Sequence, residues 1–198
     1  ELRRSIHREP ELGLKTPKTL AKVKAALAGL PLHFKTGPST TGLIAILEGV
    51  RPGRTVLLRG DMDALPMPED TNVEFRSTIA GAMHACGHDA HTAMLASAAK
   101  LLCEQRGRLA GRVMFMFQPG EEGWHGAKYM MKDGLLDDPA PDAAFAIHIA
   151  PNAPAGVLSS KAGPLLASAD VVKIEVRGRG ASAFIDRSRL TSVPALSA

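Results

Sequence analysis

Residues 84–91 concentrate groups that bind first-row metals: one thiol, three imidazoles and one carboxylate, from His84, Cys86, His88, Asp89 and His91. Neutral imidazole and thiolate are the usual ligands of zinc and its neighbours. Only Gly87 separates Cys86 from His88, and a glycine-containing loop lets both side chains turn toward one ion. Because one thiol falls short of the all-cysteine set typical of structural zinc, the pattern indicates a catalytic site with open positions.

Glu121 and Glu122 are adjacent carboxylates in a Gly/Pro turn, which are costly to bring together unless a cation or a proton separates them. If one carboxylate binds a metal, the other can take a proton from water, whose pKa a metal lowers from about 16 to about 7. The same glutamate can then pass that proton to a leaving amine, which is amide hydrolysis without a covalent enzyme intermediate. His148, at the end of an apolar run, completes the set. The alternatives are a solvated acidic turn and a hydrogen-bonded core histidine.

Other polar residues stay open as site candidates. Asp63 is placed to hold a metal-bound imidazole, and turn formation before Pro66 is its alternative role. Three histidines fit substrate contact, support of the ligands or a structural role: His84, His91 and His125. Cys86 as a nucleophile with a histidine ranks lower, because the glutamate pair would then have no role.

The elements that must position these residues alternate between helix and strand. Helices are predicted at 1–9, from Thr16-Pro17 onward, at 89–105 and at 126–132. The runs 42–49 and 55–60, joined by the turn 51–54, predict a hairpin. The run 111–118 predicts a central strand covered on both faces, and 143–147 predicts another buried strand. Asp63, the glutamate pair and His148 each follow a strand, and sites collect outside strand carboxyl ends in open α/β sheets.

The helix at 89–105 has the clearest sequence pattern. We expect Asp89 to be its N-cap. Its buried stripe is predicted from the helical spacing of its apolar residues, which are Met94, Leu95, Ala98, Leu101 and Leu102.

Length and composition limit the protein class. With 198 residues and 45% hydrophobic content, the chain can form one domain with a core and part of a second. Two cysteines make no disulfide framework, which favours a reducing, cytoplasmic compartment. The net charge of +4 comes from scattered basic residues and aromatics are only 4%, so nucleic-acid binding is not expected. No apolar run reaches the ~18 residues of a membrane span. Since Glu1 replaces an initiator Met and no signal peptide follows, we expect the chain to start inside a longer protein.

Three stretches together resemble one enzyme family. They are Arg59-Gly60-Asp61-Met62-Asp63-Ala64-Leu65-Pro66, Met83-His84-Ala85-Cys86-Gly87-His88-Asp89-Ala90-His91-Thr92 and Gln118-Pro119-Gly120-Glu121-Glu122-Gly123. They are similar to the amidohydrolase branch of the aminoacylase-type metallopeptidases. This branch includes hippurate hydrolases, auxin-conjugate hydrolases and N-acetyldiaminopimelate deacetylases. The similarity extends from about residue 2 to about residue 180.

The resemblance implies a two-metal enzyme that hydrolyses N-acyl amino acids, with zinc or manganese bound, and cobalt or nickel as further options. By that resemblance the metal ligands are Cys86, His88, Glu122 and His148, the general acid/base is Glu121, and Asp63 supports the ligands. It also implies a three-layer α/β catalytic domain with a mixed sheet, like that of zinc exopeptidases, over 1–165. A further strand is predicted at 156–160. Residues 166–198, which include the predicted strand 169–178, would begin a small α+β lid that forms a homodimer.

The chain departs from this family in two ways. The family's lid has Gly-His-Ala-Ser after a Gly-Lys-Gly-like turn, whereas Gly178-Arg179-Gly180 is followed here by Ala181-Ser182-Ala183-Phe184-Ile185. Members are also about twice as long, with a further histidine ligand near the C-terminus. The alternative to an enzyme is therefore a truncated, non-catalytic remnant that binds metal or a partner. A structural zinc module is a third hypothesis.

Overall fold

The computed structural model describes residues 1–165. The chain divides into two units, Glu1–Asn152 and Ala153–Ala198. The helices of the first unit are α1 (Leu2–Arg8), α2 (Pro17–Ala26), α3 (His88–Glu104) and α4 (Gly126–Lys132), with a 3-10 turn at Arg106–Arg108. Its strands are β1 (His33–Thr36), β2 (Leu43–Glu48), β3 (Arg51–Asp61), β4 (Ala110–Gln118) and β5 (Ala143–Ala146). The described strands form one mixed sheet in the order β1-β2-β4-β3-β5, as expected for a mixed-sheet α/β fold.

Strand β4 lies at the centre of the sheet, antiparallel to β2 and parallel to β3. Successive side chains of a strand point to opposite faces, so Phe115 and Phe117 pack with α2 and α3 on one side. Met114 and Met116 pack with Met130 of α4 on the other side. The sheet is therefore covered on both faces, and the prediction of a central strand at 111–118 is confirmed.

The predicted hairpin of β2 and β3 is wrong. Both strands pair with β4, which lies between them, and the segment 51–54 belongs to β3 instead of forming a turn. The amides of Gly49 and Val50 donate to the carbonyls of Gly111 and Leu109, at the start of β4. The β4 backbone therefore already lies between β2 and β3 at the connection that joins them. The residues of this connection do not reveal that a third strand is inserted there.

Strand β5 exists at the predicted place, but the prediction that it is buried is wrong. All four of its residues are exposed, and Phe145 is 58% exposed. Within residues 1–165, β5 pairs only with β3 and is an edge strand. Its apolar composition therefore does not reflect burial by the part of the chain that is described.

Helix α3 is rotated about its axis relative to the prediction. Met94 and Leu101 are 43% and 57% exposed, whereas the buried face carries Thr92, Leu95, Ala96 and Ala99. Small side chains on this face let the helix approach the sheet closely, since a Cβ on Gly60 would lie 3.1 Å from the carbonyl oxygen of His91. Close packing outweighs side-chain hydrophobicity in choosing the face.

The start of α3 also differs from the prediction that Asp89 is the N-cap. The N-cap is Gly87, whose φ of 86° is left-handed and suits glycine. The Asp89 carboxylate is instead buried, 2.9 Å from Nε of Arg3 and 2.8 Å from Nδ1 of His7. These contacts with α1 bring Asp89 into the interior of the protein.

Two other predictions concern the second unit. Residues 156–160 are exposed and are paired with no described strand, so the prediction of a strand there is wrong. The predicted strand at 169–178 and the divergent stretch 181–185 lie outside the described residues. Over residues 1–165, every helix is too short or too polar to cross a bilayer.

Candidate metal centre

The candidate residues come from four places along one edge of the sheet. Strands β3, β4 and β5 run parallel, so their carboxyl ends lie at the same edge. Asp63 follows β3, the glutamate pair follows β4, and His148 follows β5. The loop that precedes α3 brings Cys86 to this edge, and His88 is the first residue of that helix. The topology thus brings together residues that are up to 85 positions apart in the sequence.

His88 is central to this cluster. It is buried, and its Nδ1 lies 2.8 Å from the carbonyl oxygen of Asp63. A carbonyl only accepts, so Nδ1 carries the proton and Nε2 keeps a free lone pair. Nε2 is buried without a hydrogen-bond partner in the described part of the chain, 3.8 Å from oxygens of both Glu121 and Glu122. Burial lowers the pKa of His88, but hydrogen bonding and charge from the nearby carboxylates outweigh it and raise the pKa above its usual value.

Cys86 and His148 are in contact with each other close to His88. Cys86 Sγ lies 3.3 Å from His148 Nε2, and His148 Nδ1 lies 2.7 Å from the carbonyl oxygen of Ile149. Nδ1 is therefore the donor, and the Nε2 lone pair faces the sulfur. Burial, the charge of Glu122 and other nearby carboxylates raise the pKa of the Cys86 thiol to about 12. A thiolate at neutral pH requires a neighbouring cation here, which disfavours Cys86 as an unaided nucleophile.

Asp63 fixes the turn that carries the glutamates. Its buried carboxylate accepts hydrogen bonds from the backbone amides of Glu121 at 2.9 Å and Glu122 at 3.0 Å. The contact with His88 was expected from the Asp63 side chain, but the backbone carbonyl makes the close contact while the carboxylate oxygen is 3.6 Å away. One residue thus connects the glutamate turn to the imidazole.

Among residues 1–165, three groups of side chains are close enough to hold a metal ion, and His88 belongs to all three. They are Cys86 with His88 and His148; His88 with Glu121 and Glu122; and Asp61 with His88 and His91. In each group the ligand atoms lie within 4.8 Å of one another. The four residues predicted as metal ligands are therefore brought together around one imidazole, with Glu121 beside them.

The sequence interpretation did not single out Asp61, and it left His91 undecided. Asp61 is buried, 2.6 Å from both Arg59 Nη1 and His91 Nδ1. Burial alone would raise the pKa of this carboxyl, but the hydrogen bond from His91 and nearby positive charges lower it to about 2. The signal was present in the sequence, since Arg59 and Asp61 are two residues apart in β3 and so share a side.

The two remaining candidate histidines, His84 and His125, differ in their surroundings. His84 is buried, neither ring nitrogen has a partner among the residues described, and burial lowers its pKa to about 4. His125 is exposed and has a left-handed backbone directly before α4.

His84 also lines a cavity of about 510 Å³ that reaches Cys86 and His148 and has Phe75 and other apolar side chains on its wall. This cavity offers space for a small molecule next to the candidate metal ligands.

A comparison with protein-family models identifies the family. The model described as "Peptidase family M20/M25/M40" matches residues 57–195, which is more than half of the chain. The chain belongs to this family.

Curated relatives show the range of activities in proteins with similar sequences. Thermostable carboxypeptidase 2 of Saccharolobus solfataricus is 42% identical over 91% of this chain and 46% of its own length. N-acetylcysteine deacetylase of Bacillus subtilis is 38% identical over 98% of this chain and 51% of its own length. The chain thus spans about half the length of the curated relatives it matches.

A solved structure agrees with the fold. The Bacillus subtilis YXEP protein, described as a dinuclear metal binding peptidase from the M20 family, matches with a TM-score of 0.79 and 39% identity. The match covers 83% of this chain and 45% of that protein. The fold predicted from the sequence, a mixed-sheet α/β domain of the metallopeptidase type, is therefore confirmed.

Proposed function

We propose that this member of peptidase family M20/M25/M40 is part of a metal-dependent enzyme that hydrolyses the amide bond of N-acyl amino acids. The observation that carries the proposal is the unpartnered Nε2 of buried His88, surrounded by Cys86, Glu122 and His148. A buried nitrogen without a hydrogen bond is costly, and a cation would relieve that cost.

The thiol, imidazole and carboxylate groups of the cluster are chemically suited to bind a divalent metal. Thiolate and imidazole suit zinc and other first-row ions, and carboxylates suit manganese. The carboxylates of Glu122 and Glu121 near Cys86 point the same way, because their negative charge favours a cation. We propose two divalent ions, zinc or manganese, with cobalt or nickel as options, held by Cys86, His88, Glu122 and His148. When bound, such ions lower the pKa of water and polarise the substrate carbonyl.

Glu121 is the proposed general acid and base. Its side chain is 44% exposed, and Oε2 lies 3.8 Å from His88 Nε2, so it has access to both solvent and the cluster. In this role the carboxylate accepts a proton from the attacking water and donates it to the amine that leaves. Asp63 accepts hydrogen bonds from the backbone amides of both glutamates, which anchors the turn that carries the base.

The substrate class rests on relatives and on the cavity. N-acetylcysteine, named for one relative, is an N-acyl amino acid. The cavity beside Cys86 and His148 is lined by Phe75, Val73 and Met83, which suit an apolar acyl group such as acetyl or benzoyl. Three expectations remain predictions: a catalytic domain over 1–165, a lid beginning at 166–198 that forms a homodimer, and a cytoplasmic location.

The proposal is tested by measuring metal content and hydrolysis on the full chain loaded with zinc or manganese. Hippurate, N-acetylcysteine and other N-acetyl amino acids form the main panel, with a dipeptide to represent carboxypeptidase activity. We expect release of the free amino acid, loss of activity on chelation, and recovery when metal is returned. A folded, metal-loaded chain that releases no product would contradict the proposal and favour the non-catalytic remnant. Cleavage of the dipeptide alone would contradict the substrate class.

A further inference from the structure

His91 is a buried histidine next to the candidate centre, and hydrogen bonds occupy both of its ring nitrogens. It lies in the first turn of α3, three residues after His88. Its Nδ1 is 2.6 Å from an oxygen of Asp61, and its Nε2 is 3.0 Å from the backbone nitrogen of Ile149. This side chain therefore connects the end of β3 to the segment that follows β5.

The tautomer of His91 follows from these two partners. The amide of Ile149 can only donate, so Nε2 is the acceptor and the proton lies on Nδ1, where it is donated to Asp61. The second oxygen of Asp61 binds Arg59 Nη1 at 2.6 Å, and Arg59 Nε donates to Gln118 at 2.8 Å. The hydroxyl of Thr92 donates to the Asp61 carbonyl at 2.8 Å. The imidazole is thus held in one orientation by a network that spans β3, β4 and α3.

Within residues 1–165, the segment that His91 holds has few other constraints. Strand β5 ends at Ala146, its exposed residues give it little packing, and Ile147 is 59% exposed. Ile149 is held by its amide and by its side chain, which lies against Gly87 where a Cβ would clash with it. Ile149 in turn accepts the hydrogen bond from His148 Nδ1 that directs Nε2 toward Cys86. The orientation of His148 thus depends on where Ile149 lies.

We infer that His91 is a positioning residue, which holds the amide of Ile149 so that His148 presents Nε2 to the metal centre. The inference rests on the proposed function only for the role of His148 as a ligand. His91 is not itself assigned as a ligand, although Asp61, His88 and His91 are close enough to hold an ion. The Nε2 lone pair of His91 already accepts the hydrogen bond from the amide of Ile149, and its Nδ1 carries the proton donated to Asp61.

Two substitutions separate the two hydrogen bonds of His91. The amide of glutamine falls near the position of Nε2, so His91→Gln can still accept from Ile149. The amide of asparagine falls near Nδ1, so His91→Asn keeps only the contact with Asp61. In the full chain, we expect His91→Asn to weaken Co²⁺ binding on the order of 10–100-fold, the usual effect of losing a group that orients a ligand. We expect His91→Gln to stay close to the unsubstituted chain.

The measurement is a Co²⁺ titration followed by absorbance, because the thiolate-to-cobalt band reports on Cys86 and its neighbours. The same substitutions are made in a His148→Ala background, where a positioning effect on His148 disappears and a general structural effect persists. Ile149→Pro removes the backbone N–H that donates to His91 Nε2. Residue 149 lies outside the sheet, and this substitution should weaken Co²⁺ binding as His91→Asn does. Circular dichroism confirms that each variant is folded.

Three results would overturn the inference. The first is that folded His91→Asn and Ile149→Pro bind Co²⁺ as tightly as the unsubstituted chain. The second is that His91→Gln loses as much Co²⁺ affinity as His91→Asn. The third is that His91→Asn loses as much Co²⁺ affinity in the His148→Ala background as it does when His148 is present. None of these readouts needs turnover, so a chain that binds cobalt but hydrolyses nothing would refute the proposed function and still test this inference.

Discussion

Glu121→Gln is expected to lower the rate of N-acyl amino acid hydrolysis by about 10²–10⁴-fold and to leave the metal content unchanged. Glutamine has the same shape and keeps the backbone amide that donates to Asp63. It removes the basic oxygen that lies 3.8 Å from His88 Nε2. The effect should therefore fall on kcat, with KM and metal stoichiometry close to those of the unsubstituted chain.

Initial rates on hippurate, together with metal analysis of the same samples, check this expectation. Glu104→Gln is a matched control, because Glu104 is an exposed glutamate at the end of α3. It should change neither rate nor metal content. If Glu121→Gln keeps full activity, Glu121 is not the base. If it loses its metal, the roles given to Glu121 and Glu122 are wrong.

His88→Ala should abolish tight metal binding and, with it, all hydrolysis. His88 belongs to each of the three groups within residues 1–165 that could hold an ion, so none of these groups remains complete without it. Removing a group that only orients a ligand already costs 10–100-fold in affinity, so we expect a loss above about 100-fold for the ligand itself. A metal that binds only the native state also stabilises it, by about 2.7 kcal/mol at a hundred times its Kd.

Thermal unfolding with and without Zn²⁺ measures this effect directly. The unsubstituted chain should show a higher Tm with zinc, and His88→Ala should show no change. His33→Ala, an exposed histidine of β1, is the control and should keep the full shift. A zinc-dependent rise in the Tm of folded His88→Ala, equal to that of the control, would show that the metal binds elsewhere.

That the candidate residues lie at one edge of the sheet could be predicted from the sequence, because this depends only on where the strands end. Asp63, Glu121 and His148 each follow an apolar run, and three parallel strands place such residues at one edge. This required only the correct element types and the approximate boundaries. The order of the strands was not needed, so the error of the β2–β3 hairpin did not affect the site.

Features that depend on long-range contacts could not be predicted in this way. The separation of β2 from β3 comes from pairing with β4, which is about 60 residues later. Asp89 has the sequence context of an N-cap, but its partner Arg3 is 86 residues away. Local preferences carry no information about such distant partners.

The hydrogen bonds that hold the candidate ligands in place could be predicted only in part from the sequence. Asp63 was expected to act through its carboxylate, yet that group binds the amides of the glutamate turn. The contact of His91 with Ile149 uses a backbone amide, which every residue other than proline has. A sequence pattern cannot show which amide a side chain will find, and the three-dimensional arrangement was needed to find this contact.

The central claim is that Cys86, His88, Glu122 and His148 bind one metal centre together. X-ray absorption at the zinc edge of the zinc-loaded full chain tests it most directly. The claim predicts a sulfur neighbour at about 2.3 Å and nitrogen or oxygen neighbours at about 2.0–2.1 Å, with the sulfur lost in Cys86→Ala. A first shell of nitrogen and oxygen alone in the unsubstituted chain would contradict it.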